Sequence, residues 1–250
     1  MATLWKRVAF LAALIILWET VFRLGIWPDF MFPGPVQVIE TLIRGFSEGN
    51  YVPALLNSLR RLFIGYVIAV ILGTIIGVLM GRFKSLEETL GVVILPLQSV
   101  PSVVWLPLAL LWFSMGEAAM IFVVVIGGLW NMIMSTTAGI KGVDPVLIQC
   151  GRNLGFGGGK IFTKVILPAA IPSMITGMRL AWAFCWRALM AAEIIGTGQG
   201  LGQVLMWGRD MGNMSTVMAV MFIIAATGMI SDGFVFKRLE NRIYQQWGLL

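Results

Sequence analysis

Six apolar stretches, each near the length a helix needs to cross a lipid hydrocarbon layer, dominate this 250-residue chain. They run at about residues 8–26, 62–80, 90–113, 118–140, 175–195 and 216–236. Inside lipid every backbone N–H and C=O must be satisfied within the protein, so apolar stretches of this length are read as helices. Composition agrees. The chain is 58% apolar and 12% charged, with a mean hydropathy of +0.89. So few charges cannot cover that much apolar side chain in water. The expectation is an all-α membrane protein with six transmembrane helices, forming one domain over residues 1–250 with its core spans at about 58–236.

Other classes fall away on the same counts. There is no histidine, which removes His-based metal sites and a His general base. Two cysteines argue against a disulfide scaffold. A net charge of +6 on so apolar a chain points to the lipid bilayer and not to nucleic acid. Lys6 and Arg7 before an apolar run also describe a secretory leader. No small-x-small site closes that run, and Trp18 and Glu19 interrupt it, so it is read as a retained helix.

Basic residues favour the cytoplasmic side of a membrane. With both termini placed there, eleven Lys and Arg face inward: Lys6, Arg7, Arg82, Lys84, Lys141, Arg152, Lys160, Lys164, Lys237, Arg238 and Arg242. Five face outward: Arg23, Arg44, Arg60, Arg61 and Arg209. Both termini are therefore expected in the cytoplasm.

Two connections carry pattern. In residues 27–58, Val36, Ile39, Ile43 and Phe46 recur at helical spacing after Pro33-Gly34-Pro35, which predicts a short interfacial helix. Residues 141–171 form the longest cytoplasmic stretch. Asp144-Pro145 is a helix start, a side-chain cap followed by proline at the first helical position. Gly155 to Gly159 stop that helix, and a second amphipathic turn starts near Lys160. Pro168 and Pro172 are expected to separate it from the fifth span. A helix–glycine turn–helix hairpin follows, with an apolar knob suited to a groove on a soluble partner.

This loop resembles the cytoplasmic coupling loop of the permease subunits of binding-protein-dependent ABC importers. Their pattern is Glu-Ala-Ala, three residues, Gly, then a hydrophobic-x-Leu-Pro ending. Here it reads Gln149-Cys150-Gly151, then Gly155, then Val165-Ile166-Leu167-Pro168. Spacing, glycine and Leu-Pro are kept; the opening Glu-Ala-Ala is not. Further pieces resemble the nitrate, sulfonate and taurine branch in order: Ser58-Leu-Arg-Arg-Leu-Phe-Ile-Gly65, Pro101-Ser-Val-Val-Trp105-Leu-Pro107, Gly116-Glu117, Gly177-Met-Arg179, Ala191-Ala-Glu193 and Gly200-Leu-Gly202.

The resemblance implies a type I importer permease in a bacterial inner membrane. It implies two permease copies, two ATP-binding-cassette ATPase subunits and an extracytoplasmic substrate-binding protein as partners. ATP would be bound by the partner subunit, with no cofactor and no catalysis in this chain. Asp144, Gln149, Cys150, Gly151, Arg152, Leu154, Gly155, Phe156, Leu167 and Pro168 become the candidate ATPase-coupling residues, within a coupling loop at residues 141–171. Gln149 lacks the charge of the family's Glu, and Gly151 weakens its helix by about 1 kcal/mol relative to Ala. The implied substrate is a small anion such as nitrate, a sulfonate or taurine; uncharged heterocyclic nutrients are the alternative.

Candidate pathway residues are Trp105, Trp182, Trp186, Arg187 and Glu193. A charge at mid-span is costly, which singles out Arg187 for an anion in transit or for an ion pair with Glu193 or another acid. Arg179 lies about 80° away on the same helix and near its cytoplasmic end, where it can snorkel. Gly65, Gly73, Gly77 and Gly81 fall at steps of eight, four and four, a small-residue stripe for close helix contact. Two glycine runs are decoys. Leu154 and Ile161 break the phosphate-loop pattern around Gly155–Lys160, and the Gly196–Gly202 run has the wrong dinucleotide spacing. A secondary transporter would want paired mid-membrane acids, and an embedded enzyme would want clustered catalytic acids; the chain offers neither.

Overall fold

The computed structural model describes residues 2–246, and every regular element among them is helical. In chain order these are α1 (Ala2–Arg23), α2 (Pro35–Ser47), α3 (Tyr51–Arg82), α4 (Lys84–Ser99), α5 (Leu106–Phe113), α6 (Glu117–Lys141), α7 (Pro145–Asn153), α8 (Gly158–Ile161), α9 (Leu167–Ile195), α10 (Leu201–Asp210), α11 (Met214–Ile230) and α12 (Lys237–Gln246). A 3₁₀ turn, Ser102–Trp105, precedes α5. Two π-turns, Phe162–Ile166 and Ser231–Phe236, join α8 to α9 and α11 to α12. The chain divides into two compact units, residues 2–58 with 193–226 and residues 59–192 with 227–246.

Among the described residues, four helical stretches are long and apolar enough to cross a membrane: Tyr51–Arg82, Glu117–Lys141, Gly158–Ile195 and Met214–Gln245. A fifth arises if α4 and the Ser102–Phe113 segment count together, although they meet at a 98° bend. The sequence led to a straight span at 90–113, and the backbone breaks it. Proline at 101 forces its predecessor out of the helical region, and Val100 is extended at φ −78°, ψ 119°. α1, which holds the expected first span, carries Lys6, Arg7, Glu19 and Arg23 in 22 residues.

The larger unit is organised around α6. Apolar helices gain little from burial against one another in lipid, so close backbone approach must hold them. A Cβ added to Gly65 would lie 2.5 Å from Val124, one on Gly73 2.6 Å from Met132, one on Gly77 2.6 Å from Thr136, and one on Gly81 2.8 Å from Ile140. All four pairs share one sequence offset, so α3 and α6 run parallel and in register. The opposite trend holds for α9. Gly127 meets Ala188 and Gly139 meets Ser173, each at 2.7 Å from an added Cβ, while Gly177 meets Ser135 at 2.5 Å. α9 therefore runs antiparallel to α6. Because α3 and α6 point the same way, the chain must return between them, and the bent α4–α5 pair makes that return.

In the smaller unit, α2 begins as expected. Pro35 occupies its first turn, and the Gly34 N–H donates to Gln37 Oε1 at 3.1 Å. Val36, Ile39 and Ile43 stay exposed along one face, as an interfacial helix requires. Trp18 Nε1 donates to the Pro33 carbonyl at 3.1 Å, and its ring stacks on Phe222 at 5.8 Å. These contacts tie α1 and α11 to the start of α2.

A second expectation is corrected. Pro168 and Pro172 do not separate the second hairpin helix from the fifth span; helix runs on from Gly158 to Ile195. The π-turn shifts the backbone bonding before Pro168, with Leu167 N–H reaching Phe162 O, so the missing proline N–H costs no break.

Substituting Gly77→Val drives a side chain against the Ile133 carbonyl, 2.8 Å from the Cβ position, and should cost about 1–3 kcal/mol. The thermal midpoint in detergent, read by a thiol-reactive dye on wholly buried Cys185, should fall. Gly91→Val, with open space around it, should leave the midpoint near wild type.

Candidate functional site

The hairpin is built as its sequence dictates. Asp144 caps α7, its Oδ1 accepting the Val146 N–H at 2.8 Å. Gly155 closes the helix at φ +80°, a conformation that side chains resist. The Phe156 N–H reaches back to the Gly151 carbonyl at 3.1 Å. Gly151 is buried, and a Cβ there would lie 3.0 Å from Val165. This glycine therefore brings α7 close to the π-turn. Asp144, Gln149, Cys150, Arg152, Leu154 and Gly155 are exposed, while Phe156, Leu167 and Pro168 are half-buried. Val146, Leu147 and Leu154 present bare apolar surface beside Arg152.

The hairpin is fastened to the spans at its root. Lys141 Nζ bonds Glu87 at 2.6 Å. The Arg82 guanidinium lies 4.9 Å from the Phe162 ring centre, and Phe162 packs with Ile140 and Ala170. The hairpin is therefore continuous with α9 through helical backbone and is packed at its root against α6.

Within the same unit, Trp182 packs edge-on against Tyr66 at 5.1 Å and tilts against Phe236 at 5.5 Å. Among the described residues, the indole nitrogens of Trp182 and Trp105 are buried without a hydrogen-bond partner. Trp186 is buried. Arg187 is exposed. Its Nε donates to the Ala183 carbonyl at 3.1 Å, and its guanidinium lies 4.4 Å from the Phe184 ring centre. Among the described residues no carboxylate lies within ion-pair distance of Arg187. In a membrane span such a charge must face water or another chain.

Two constellations escaped the sequence. Arg179 does not snorkel alone: its Nε and Nη2 grip both oxygens of Asp232 at 2.6 and 2.7 Å, and Nη1 binds Glu240 at 2.7 Å. The signal was a lone basic and a lone acidic residue in separate apolar stretches, with no spacing to link them. In the smaller unit, wholly buried Glu193 takes hydrogen bonds from Ser58 and from the Gly202 N–H. Beside this network lies a cleft of about 720 Å³. Among the described residues no group of three metal-ligating side chains comes together.

Comparison with known proteins decides the family. The model of the binding-protein-dependent transport system inner membrane component matches residues 69–244. This chain belongs to that family. The permease is 31% identical over 238 residues to the taurine transport system permease protein TauC of Escherichia coli (93% of this chain, 86% of the other). It is 26% identical over 234 residues to the nitrate import permease protein NrtB of Synechocystis (90% and 84%). Its fold matches the MetNI methionine ABC transporter with a TM-score of 0.70 at 18% identity, over 79% of this chain and 97% of that one. The permease thus has the type I ABC permease fold, is a multi-pass membrane protein of the nitrate, sulfonate and taurine type, and is not an enzyme.

Arg179→Gln should lower the stability of the permease by roughly 1–2 kcal/mol, an allowance for partial exposure included. Arg179→Lys should recover only part of the loss, because an ammonium cannot grip two carboxylate oxygens as a planar fork does. Thermal unfolding in detergent measures both; a fully stable Lys variant would contradict the clamp.

Proposed function

We propose that this permease is the membrane-spanning subunit of an ATP-driven importer of small oxoanions, with nitrate, taurine and other sulfonates as its substrate class. The observation that carries the proposal is the fixed hairpin continuous with a 38-residue helical span, about 57 Å long at 1.5 Å per residue. Val146, Leu147 and Leu154 form the apolar knob, and Arg152 the basic rim, for a groove on an ATPase subunit. Gln149 offers that groove a neutral hydrogen bond where the family pattern has a carboxylate. When two ATPase subunits close on ATP, the hairpins of two permease copies move, and each α9 tilts with its hairpin. α6, locked to α9 and α3 through glycines, moves as part of the same body.

In this reading α1 is the first of six spans and both termini are cytoplasmic, in a bacterial inner membrane. A binding protein delivers substrate on the opposite face. The residues proposed for the pathway are Trp105, Trp182, Trp186 and Arg187; Glu193, expected among them, is wholly buried against Ser58 and Gly202 and is left out. Arg187 is the cation for an anion in transit; the names of TauC and NrtB support that class. The chain binds no nucleotide and hydrolyses none.

The test is affinity capture of the tagged permease in mild detergent from its native membrane. The wild type should bring down an ATPase whose hydrolysis is measurable. Gly155→Glu, which strains the positive-φ turn and puts an acid beside the knob, should lose it. Capture of the intact permease with no ATPase would overturn the proposal.

A further inference from the structure

We propose that Glu193 is a positioning residue of the transport cycle, a buried carboxylate that latches α10, at the extracytoplasmic mouth, to the start of α3. The word extracytoplasmic rests on the importer reading above; the latch itself rests on geometry. Ser58 sits on α3, Glu193 in the last turn of α9, and Leu201 and Gly202 in the first turn of α10. Three helices meet at one carboxylate, with Ser58 lying 135 residues before Glu193.

Ser58 and Glu193 are both wholly buried. The Ser58 hydroxyl donates to the Glu193 carboxylate, with its oxygens at 2.9 and 2.8 Å, and accepts the Leu201 N–H at 2.9 Å. The Gly202 N–H donates to Glu193 Oε2 at 3.0 Å. Those two N–H groups are the ones a helix start leaves without intrahelical partners. The cap residue of α10 is Gly200, which has no side chain to satisfy them. Ser58, distant in the chain, and Glu193, from the end of α9, therefore cap α10, and a carboxylate is the group its positive end favours.

The glycines are there for the latch. A Cβ on Gly202 would lie 2.5 Å from Glu193 Cβ and 3.0 Å from the Glu193 carbonyl carbon. A Cβ on Gly200 would overlap the carboxylate itself. Both positions thus let Glu193 lie flush against the helix start.

A buried carboxylate is costly unless its donors are in place, yet well hydrated in the open. The latch is therefore a two-state element: fully made, or broken with water on the carboxylate. Gly198, Gln199 and Gly200 form one wall of the cleft of about 720 Å³, which gives the segment room to move. Holding α10 keeps the mouth shut between turnovers, so that ATP hydrolysis waits for the binding protein.

The experiment uses the permease reconstituted in proteoliposomes with its co-purified ATPase. Wild type, Glu193→Gln, Ser58→Ala and the double variant are compared for ATPase rate with and without binding protein, and for uptake. Both single variants should assemble normally. Their stimulation by binding protein should fall about ten-fold, the loss of one charge-assisted contact, while the unstimulated rate rises. The double variant should be no worse than the worse single one, as for two parts of one latch. Wild-type stimulation in Glu193→Gln, additive losses, or loss only through failed assembly would each overturn the latch. A wild-type complex without ATPase activity would instead overturn the importer reading, and the latch's role in transport with it.

Discussion

Close backbone approach at glycines holds the larger unit together. Lipid tails are as apolar as leucine, so two such helices gain little by merely hiding side chains from each other. What remains is dispersion across a tight interface. α6 supplies that on two faces, toward α3 through Gly65, Gly73, Gly77 and Gly81, and toward α9 through Gly127, Gly139 and Gly177. The register of these contacts fixes direction as well as distance. α3 and α6 run parallel with α9 opposed, so the bent α4–α5 pair has to return the chain.

The proposed use of the hairpin rests on how firmly it is joined to that interface. α7 and α8 are set against the root of the spans by Asp144, the Gly155 turn, the Lys141–Glu87 pair and the Phe162 cluster. The helix then passes through a π-turn into α9. In the proposed cycle, a push on the hairpin arrives at α9 as a tilt, because helix and not loop joins the two. Polar groups inside the spans are spent sparingly. Arg179 is tied to Asp232 and Glu240, which joins the last helix to α9. Arg187 is exposed, which is consistent with the pathway role proposed for it.

Much of this was written in the chain as local chemistry. Apolar length located α3, α6, α9 and α11, because backbone satisfaction in lipid leaves helices as the answer. Asp144-Pro145 and Gly155 marked the hairpin, since caps and positive-φ turns are decided within a few residues. The glycine stripe on α3 announced a close contact without naming its partner. The break at Pro101 was hidden because hydropathy averages over residues 90–113 and does not see one extended residue. The continuous helix through Pro168 was misread for the reverse reason: a local rule against proline was overridden by a π-turn. Glu193 with Ser58, and Arg179 with Asp232, had no sequence signature, since each pairing is made by folding and not by spacing.

The most direct measurement is uptake of radiolabelled taurine and of nitrate into proteoliposomes holding the permease and its co-purified ATPase. The comparison is between vesicles energised by ATP on the hairpin side and vesicles given only an ion gradient. The account predicts uptake that requires ATP and binding protein and survives an ionophore. Uptake that follows the ion gradient, collapses with the ionophore and ignores ATP would contradict it.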